Sequence, residues 1–165
     1  KAQVAAYQSE IKEGHIFIGV TDQDKQGMVP AALEFQKAGR KILATEGTYK
    51  VLQKAGVTNI EKTSLDREDP DNIFDYIDRK EVALIVNTTR PRKRSVDAKH
   101  IRRVALMRNL PYFTTVEGTL MMACAIVATD SGKKLNYKSL LISSKTLPEI
   151  NGHSSNAPDF SSSFK

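Results

Sequence analysis

The sequence predicts an α/β domain, a doubly wound sheet of about five mainly parallel strands with helices on both faces. Three observations carry this. Short apolar runs alternate with stretches of helical periodicity about ten residues long, the pattern of strand-helix units. Residues 82–86, Val-Ala-Leu-Ile-Val, are apolar at every position, as a central parallel strand covered on both faces must be. The 165 residues are 40% apolar and 27% charged with no Trp and one Cys, the composition of one ordinary globular domain. Such a chain buries about two-thirds of its unfolded surface and needs no disulfide or metal staple. The same composition excludes a collagen, a coiled coil, a disulfide scaffold and a membrane span.

Each element follows from its local pattern. Residues 15–20, His-Ile-Phe-Ile-Gly-Val, read as a buried strand that the polar stretch 21–27 breaks. Val29, Ala32, Leu33 and Gln36 recur at helical spacing, with Gly39 as the stop. Residues 41–44 read as a second strand, 45–48 as its turn, and 49–55 as a short helix closed by Gly56. Residues 58–62 form a weaker third strand, followed by a charged loop over 64–71. Pro70, at the start of a helix over 72–79, suits a first helical turn, with Ile73, Phe74 and Ile77 on one face. After strand 82–86 come a basic loop, a helix over about 97–109 with Ile101, Val104 and Ala105 inward, a brief strand at 112–114 and a long apolar helix over 117–131. Residues 138–142 read as an edge strand. The Ser-, Asn- and Pro-containing stretch beyond, 143–165, reads as a disordered tail. Residues 1–14 read as a connector from a preceding domain, since the chain opens on Lys1 without a signal or transit pattern.

The positive charge is local. Residues 90–103 hold seven basic side chains against Asp97, a local +6 equal to the net charge of the whole chain. The other 18 basic and 18 acidic residues cancel. A nucleic-acid binder spreads its cations over a face and interleaves aromatics for stacking, and this segment has none. That leaves nucleic acid as the weakest of three readings, behind a solvated surface and a site for a small anion such as phosphate.

In an open parallel sheet, ligands bind beyond the carboxyl ends of the strands. The loops there carry Lys25, Thr45, Gly47, Thr48, Asn87, Thr88, Thr89, Arg90 and the pair Thr114 and Thr115. Hydroxyl donors, a glycine that lets backbone approach, a helix N-terminus and cations make a phosphate-binding inventory. Thr48 also suits a helix N-cap. His15, His100 and His153 have no metal-ligand spacing, and no nucleophile elbow or P-loop is present. Asp66, Asp69 and Asp71 share one loop, as a base or as an acidic surface. Cys124, flanked by Met121, Met122, Ala123, Ala125 and Ile126, reads as part of a buried helix face and not as a reactive thiol.

The runs Gly19 to Lys25, Ala44-Thr45-Glu46-Gly47-Thr48, Val86-Asn87-Thr88-Thr89, Ile101-Arg102-Arg103 and Thr114-Thr115 together resemble the methylglyoxal-synthase-like domain. The form is similar to the C-terminal allosteric domain of carbamoyl phosphate synthetase large subunits. The likeness covers about residues 15–129, and the expected regulatory domain is 15–142. It implies a Rossmann-like sheet and a domain that is not itself an enzyme but binds a phosphorylated effector such as UMP or IMP. The parent would be a cytoplasmic, ATP-dependent ligase of arginine and pyrimidine biosynthesis.

The resemblance implies Lys25, Thr45, Gly47, Thr48, Asn87, Thr88, Thr89 and Arg90 as effector-binding, with no catalytic or metal residues and no cofactor in this domain. ATP and Mg would belong to the preceding synthetase domains. Implied partners are the effector, those synthetase domains, a glutaminase subunit or domain, and a second copy through the parent enzyme, with no nucleic acid and no membrane. Two departures stand out. Gly19 replaces a frequent Ser contact, and Lys62-Thr63-Ser64 is followed by an apparent extra residue near where bacterial members place a phosphate-binding Lys. Arg90, Arg92 and Arg94 would then supply the charge.

Two alternatives stay open. A urea-type domain would bind N-acetylglutamate, in the mitochondrial matrix, but its Trp is missing here. A methylglyoxal synthase would use Asp residues near Asp22 and Asp69, but its Trp-Asp-Pro segment is replaced by Asn87-Thr88-Thr89.

Overall fold

The computed structural model describes residues 13–88 and 96–130, with the side chains of 96–98 set aside. The elements run β1 (His15–Gly19), α1 (Val29–Lys37), β2 (Ile42–Ala44), α2 (Glu46–Lys54), β3 (Ile60–Lys62), α3 (Ile73–Asp78), β4 (Val82–Asn87), α4 (Val96–Met107), β5 (Tyr112–Phe113) and α5 (Val116–Asp130). All four strand pairings are parallel, in the order β3-β2-β1-β4-β5. The chain winds outward from β1 to β3, then crosses back to β4. The order therefore reverses between β1 and β4.

Side-chain alternation along the strands explains the two layers. Ile16, Ile18, Ile42, Ala44, Leu84 and Val86 point to one face, where α1, α2 and α5 cover them with Phe35, Leu52 and Met122 among others. Phe17, Leu43 and Ile85 point to the other, against Ile73, Phe74 and Ile77 of α3 and Ile101 and Ala105 of α4. Burying residues of both parities is what makes residues 82–86 of β4 apolar; all six of its positions, Asn87 included, are buried.

Helices α1 and α2 end as expected. Gly39 (φ 69°) and Gly56 (φ 94°) adopt the left-handed conformation one residue past the cap. Arg40 N then donates to Phe35 O at 2.9 Å, and Val57 N to Leu52 O at 3.1 Å, the Schellman closure.

Three expectations need correction. Helix α2 begins at Glu46, not at 49, because Thr45 is already extended (ψ 151°) and takes the N-cap position, and Tyr49 N donates to Thr45 O at 2.8 Å. Thr48 is therefore not a cap but a fully buried residue of the first turn. Helix α3 begins at Ile73, with Pro70 in the preceding turn. The buried Asn72 caps it, accepting from Asp75 N at 3.1 Å and donating to Asp69 O at 2.8 Å. Met121 is 46% exposed and does not share the buried face of α5. The expected connector up to residue 12, the edge strand at 138–142 and the tail at 143–165 lie outside the described residues.

Candidate functional site

The carboxyl edge of the sheet is set by register. Ile18 is opposite Ala44, Ala44 opposite Lys62, and Gly19 opposite Asn87. The loops that follow β1, β2, β3 and β4 therefore emerge side by side.

The β1–α1 loop is pinned at the reversal point by one carboxylate. Asp24 accepts from Thr21 Oγ1 at 2.6 Å and from Thr88 Oγ1 at 2.5 Å, and Thr88 Oγ1 accepts from Thr21 N at 3.2 Å. Thr88 thus fastens two loops across the β1–β4 crevice. Asn87, 3% exposed, ends β4 beneath it. On its far side the same loop packs against α5, where a Cβ on Gly27 would lie 3.2 Å from Val116.

Pinning that loop aims Lys25 at the start of α2. Its Nζ lies 2.5 Å from the position a Cβ on Gly47 would occupy, so the ammonium rests on the first turn of the helix. A glycine there lets the ammonium sit against the helix backbone, where a larger residue would push it outward. The Lys25 side chain is 18% exposed and its partner Asp22 is 94% exposed, an ion pair worth little in water.

The turn beneath Lys25 is left open. Thr45 makes no side-chain cap; its hydroxyl instead donates to Thr48 Oγ1 at 3.2 Å. A helix of nine residues thereby presents its first N–H groups without a capping oxygen. Lys62 ends β3 beside that turn, opposite Ala44, and its charge, after that of Lys50, holds the Glu46 carboxyl below its ordinary range. Cations beside the positive end of a helix dipole repel it and one another until an anion joins them. Lys25, Gly47, Thr45 and Lys62 thus share one corner of the carboxyl edge, with the buried Thr48 beneath them. Asn87 and Thr88 flank it at the crevice, with Thr88 committed to Asp24. Thr89 and Arg90, with Arg92 and Arg94, lie outside the described residues.

Sequence reasoning left Lys62 out because the extra residue after it obscured its register. The cues were the phosphate-binding Lys that the resemblance places near it and its position at the end of a third strand parallel to β2.

The other candidates have structural tasks. Asp66 accepts from Glu68 N at 3.0 Å and Asp69 from Asp71 N at 3.1 Å, holding the β3–α3 loop. Thr115 caps α5, accepting from Gly118 N at 3.2 Å. Burial and the nearby Glu34 push the Cys124 thiol up, away from reactivity. His15 meets the Tyr76 ring and His100 the Phe74 ring, and His153 lies outside the described residues. Among the described residues no three His, Cys, Asp or Glu side chains converge as metal ligands would, and no helix is long and apolar enough to cross a membrane.

A sequence model of the MGS-like domain family matches residues 27–114. The carbamoyl phosphate synthase large chain of Mesorhizobium japonicum is 37% identical over 132 residues, covering 80% of this chain and 11% of that protein. The C-terminal section of the Aquifex aeolicus large chain is 37% identical over 150 residues, covering 91% of this chain and 27% of that one. The Methanosarcina barkeri large chain is 32% identical over 151 residues, covering 92% and 38%. The chain thus spans well under half the length of these relatives.

Proposed function

The chain belongs to the MGS-like domain family, and on that premise we propose that it is the effector-binding regulatory section of a carbamoyl phosphate synthase large chain. The effector is a phosphorylated nucleotide such as UMP or IMP, its phosphate on the α2 N-terminus between Lys25 and Lys62. One observation carries this reading: Lys25 Nζ rests directly on Gly47, over a helix start whose cap hydroxyl is turned away. Among the described residues, the carboxylates the lyase alternative would use are engaged elsewhere. Asp22 is a solvent-exposed partner of Lys25, and Asp69 is tied to a backbone N–H.

Regulation follows from what Lys25 is attached to. Its loop is bound through Asp24 to Thr88 at the mouth of the β4–α4 loop, and through Gly27 to the start of α5. An anion that draws Lys25 onto α2 biases the positions of both. Allosteric couplings are typically about 1–3 kcal/mol, within reach of one charge-assisted contact made in one state and not the other. Preceding synthetase domains of the same chain, with their ATP and Mg, would receive that bias, and a glutaminase partner would supply the parent enzyme with ammonia.

The test is thermal unfolding at fixed salt with UMP, IMP, N-acetylglutamate and dihydroxyacetone phosphate. A ligand at about 100 times its Kd adds about 2.7 kcal/mol, a shift of several degrees for a domain this size. A shift with UMP or IMP, lost in Lys25→Ala, is expected. A shift with N-acetylglutamate alone would reassign the effector, and conversion of dihydroxyacetone phosphate would make the chain a lyase.

A further inference from the structure

A second cationic feature lies away from the carboxyl-edge corner, on the face covered by α3 and α4. A groove of about 590 Å³ runs between these helices, with Arg67, Lys99, His100 and Arg103 along it and Arg108 and Asp78 at one end. A recess of about 300 Å³ continues it past Arg67 and His100, beside Leu65 and Phe74. Asp78 is already committed to Arg108, at 2.6 Å. Asp66, which faces the recess, accepts from Glu68 N. Arg67, Lys99 and Arg103 pair with no carboxylate among the described residues.

Arg67 is exposed and yet held in place. Its guanidinium lies 4.4 Å from the centroid of the buried Phe74 ring, a cation–π contact. A terminal nitrogen donates to His100 Nε2 at 3.3 Å; the guanidinium has no acceptor, so the imidazole must be the accepting partner. An arginine held by two rings, with no carboxylate paired to it among the described residues, keeps donors to spare. The loop bearing it is fixed in turn by the buried Asn72, which donates to Asp69 O. Val104 and Met107 add an apolar wall to the groove.

We propose that the α3–α4 groove is a binding site for a small molecule carrying two linked phosphates, held by Arg67, Lys99 and Arg103 with its uncharged part against Val104 and Met107. The charge count selects the class: a phosphate group carries about −1.5 to −2, so three cations match two phosphates better than one. The volume is that of a small-ligand site, and guanidinium pairs suit phosphate oxygens. The proposal is independent of the effector reading, because it uses none of the same residues.

The experiment is isothermal titration of the chain with inorganic pyrophosphate at fixed salt, repeated on Lys99→Ala/Arg103→Ala, on Arg67→Ala and on Lys25→Ala. The substituted groove residues are exposed, so unfolding temperatures close to wild type are expected and are measured as the control. Pyrophosphate binding should weaken by about tenfold or more in Arg67→Ala, the loss of one charge-assisted contact, and by more in Lys99→Ala/Arg103→Ala, which loses two, and it should persist in Lys25→Ala. Binding unchanged in the groove variants, or abolished by Lys25→Ala alone, overturns the proposal. So does a short single-stranded oligonucleotide that displaces pyrophosphate and binds more tightly than it, which would make the groove a track for a nucleic-acid backbone.

Discussion

Gly47→Ala should separate binding from stability. A Cβ built on Gly47 falls 2.5 Å from Lys25 Nζ and 3.4 Å from its Cε. Ordinary contact begins near 3.5 Å, so the ammonium must retreat by about 1 Å, which a flexible four-carbon side chain does at little cost. No backbone atom from outside the helix is in the way. Alanine is favoured over glycine by up to about 1 kcal/mol inside a helix, and by less in a first turn. The ligand-free variant should therefore unfold at the wild-type temperature or slightly above it. Its affinity for UMP should fall, because the methyl group occupies the approach to the first-turn N–H groups and displaces the cation above them. Losing one charge-assisted contact of about 1.5–3 kcal/mol weakens Kd by about ten- to 150-fold. Titration calorimetry gives the affinity and thermal unfolding without ligand gives the stability. A Kd within a factor of two of wild type, or a variant that fails to fold, refutes the reasoning.

Three further outcomes follow from the same contacts. Thr88→Val removes the hydroxyl between Asp24 and Thr21 N; stability should drop by about 1–3 kcal/mol in urea and UMP affinity should fall with it, unlike Gly47→Ala. Asn72→Ala removes the α3 cap and a bond to Asp69 O; the urea midpoint should fall by the equivalent of about 2 kcal/mol with an unchanged slope. Burial, then the charge of Lys41, holds the His15 imidazole below its ordinary 6.5, against the smaller opposing pull of Glu81 and Glu61. A depressed folded pKa means that the unfolded chain takes the proton first, so this stability is present above about pH 6.5 and is lost as pH falls through the folded value. His15→Gln should flatten that part of a urea-midpoint profile against pH.

Layer order and strand type were legible because burial on both faces writes itself into a strand as an unbroken apolar run, as at residues 82–86. The helix ends at Gly39 and Gly56 were legible because a left-handed residue there favours glycine. The start of α2 was not. Gly47 and two threonines look like a turn, and only the position of Lys25, 22 residues earlier, explains a glycine inside the first turn. Thr45, Thr48 and Lys25 were found as a phosphate inventory, but their mutual geometry depends on Asp24 reaching Thr88 across 64 residues. Lys62 was considered and set aside, because its place beside Ala44 is a matter of register. The Arg67–His100 contact spans 33 residues and two elements, and no local pattern encodes it.

The most direct test of the central claim is a titration of the isotopically labelled chain with UMP, followed by amide proton and nitrogen shifts. If the phosphate rests on the start of α2, the amides of Glu46, Gly47 and Thr48 move most, with smaller shifts at Lys25 and Thr88. Shifts confined to other loops, with the α2 amides unmoved at saturation, would contradict the account.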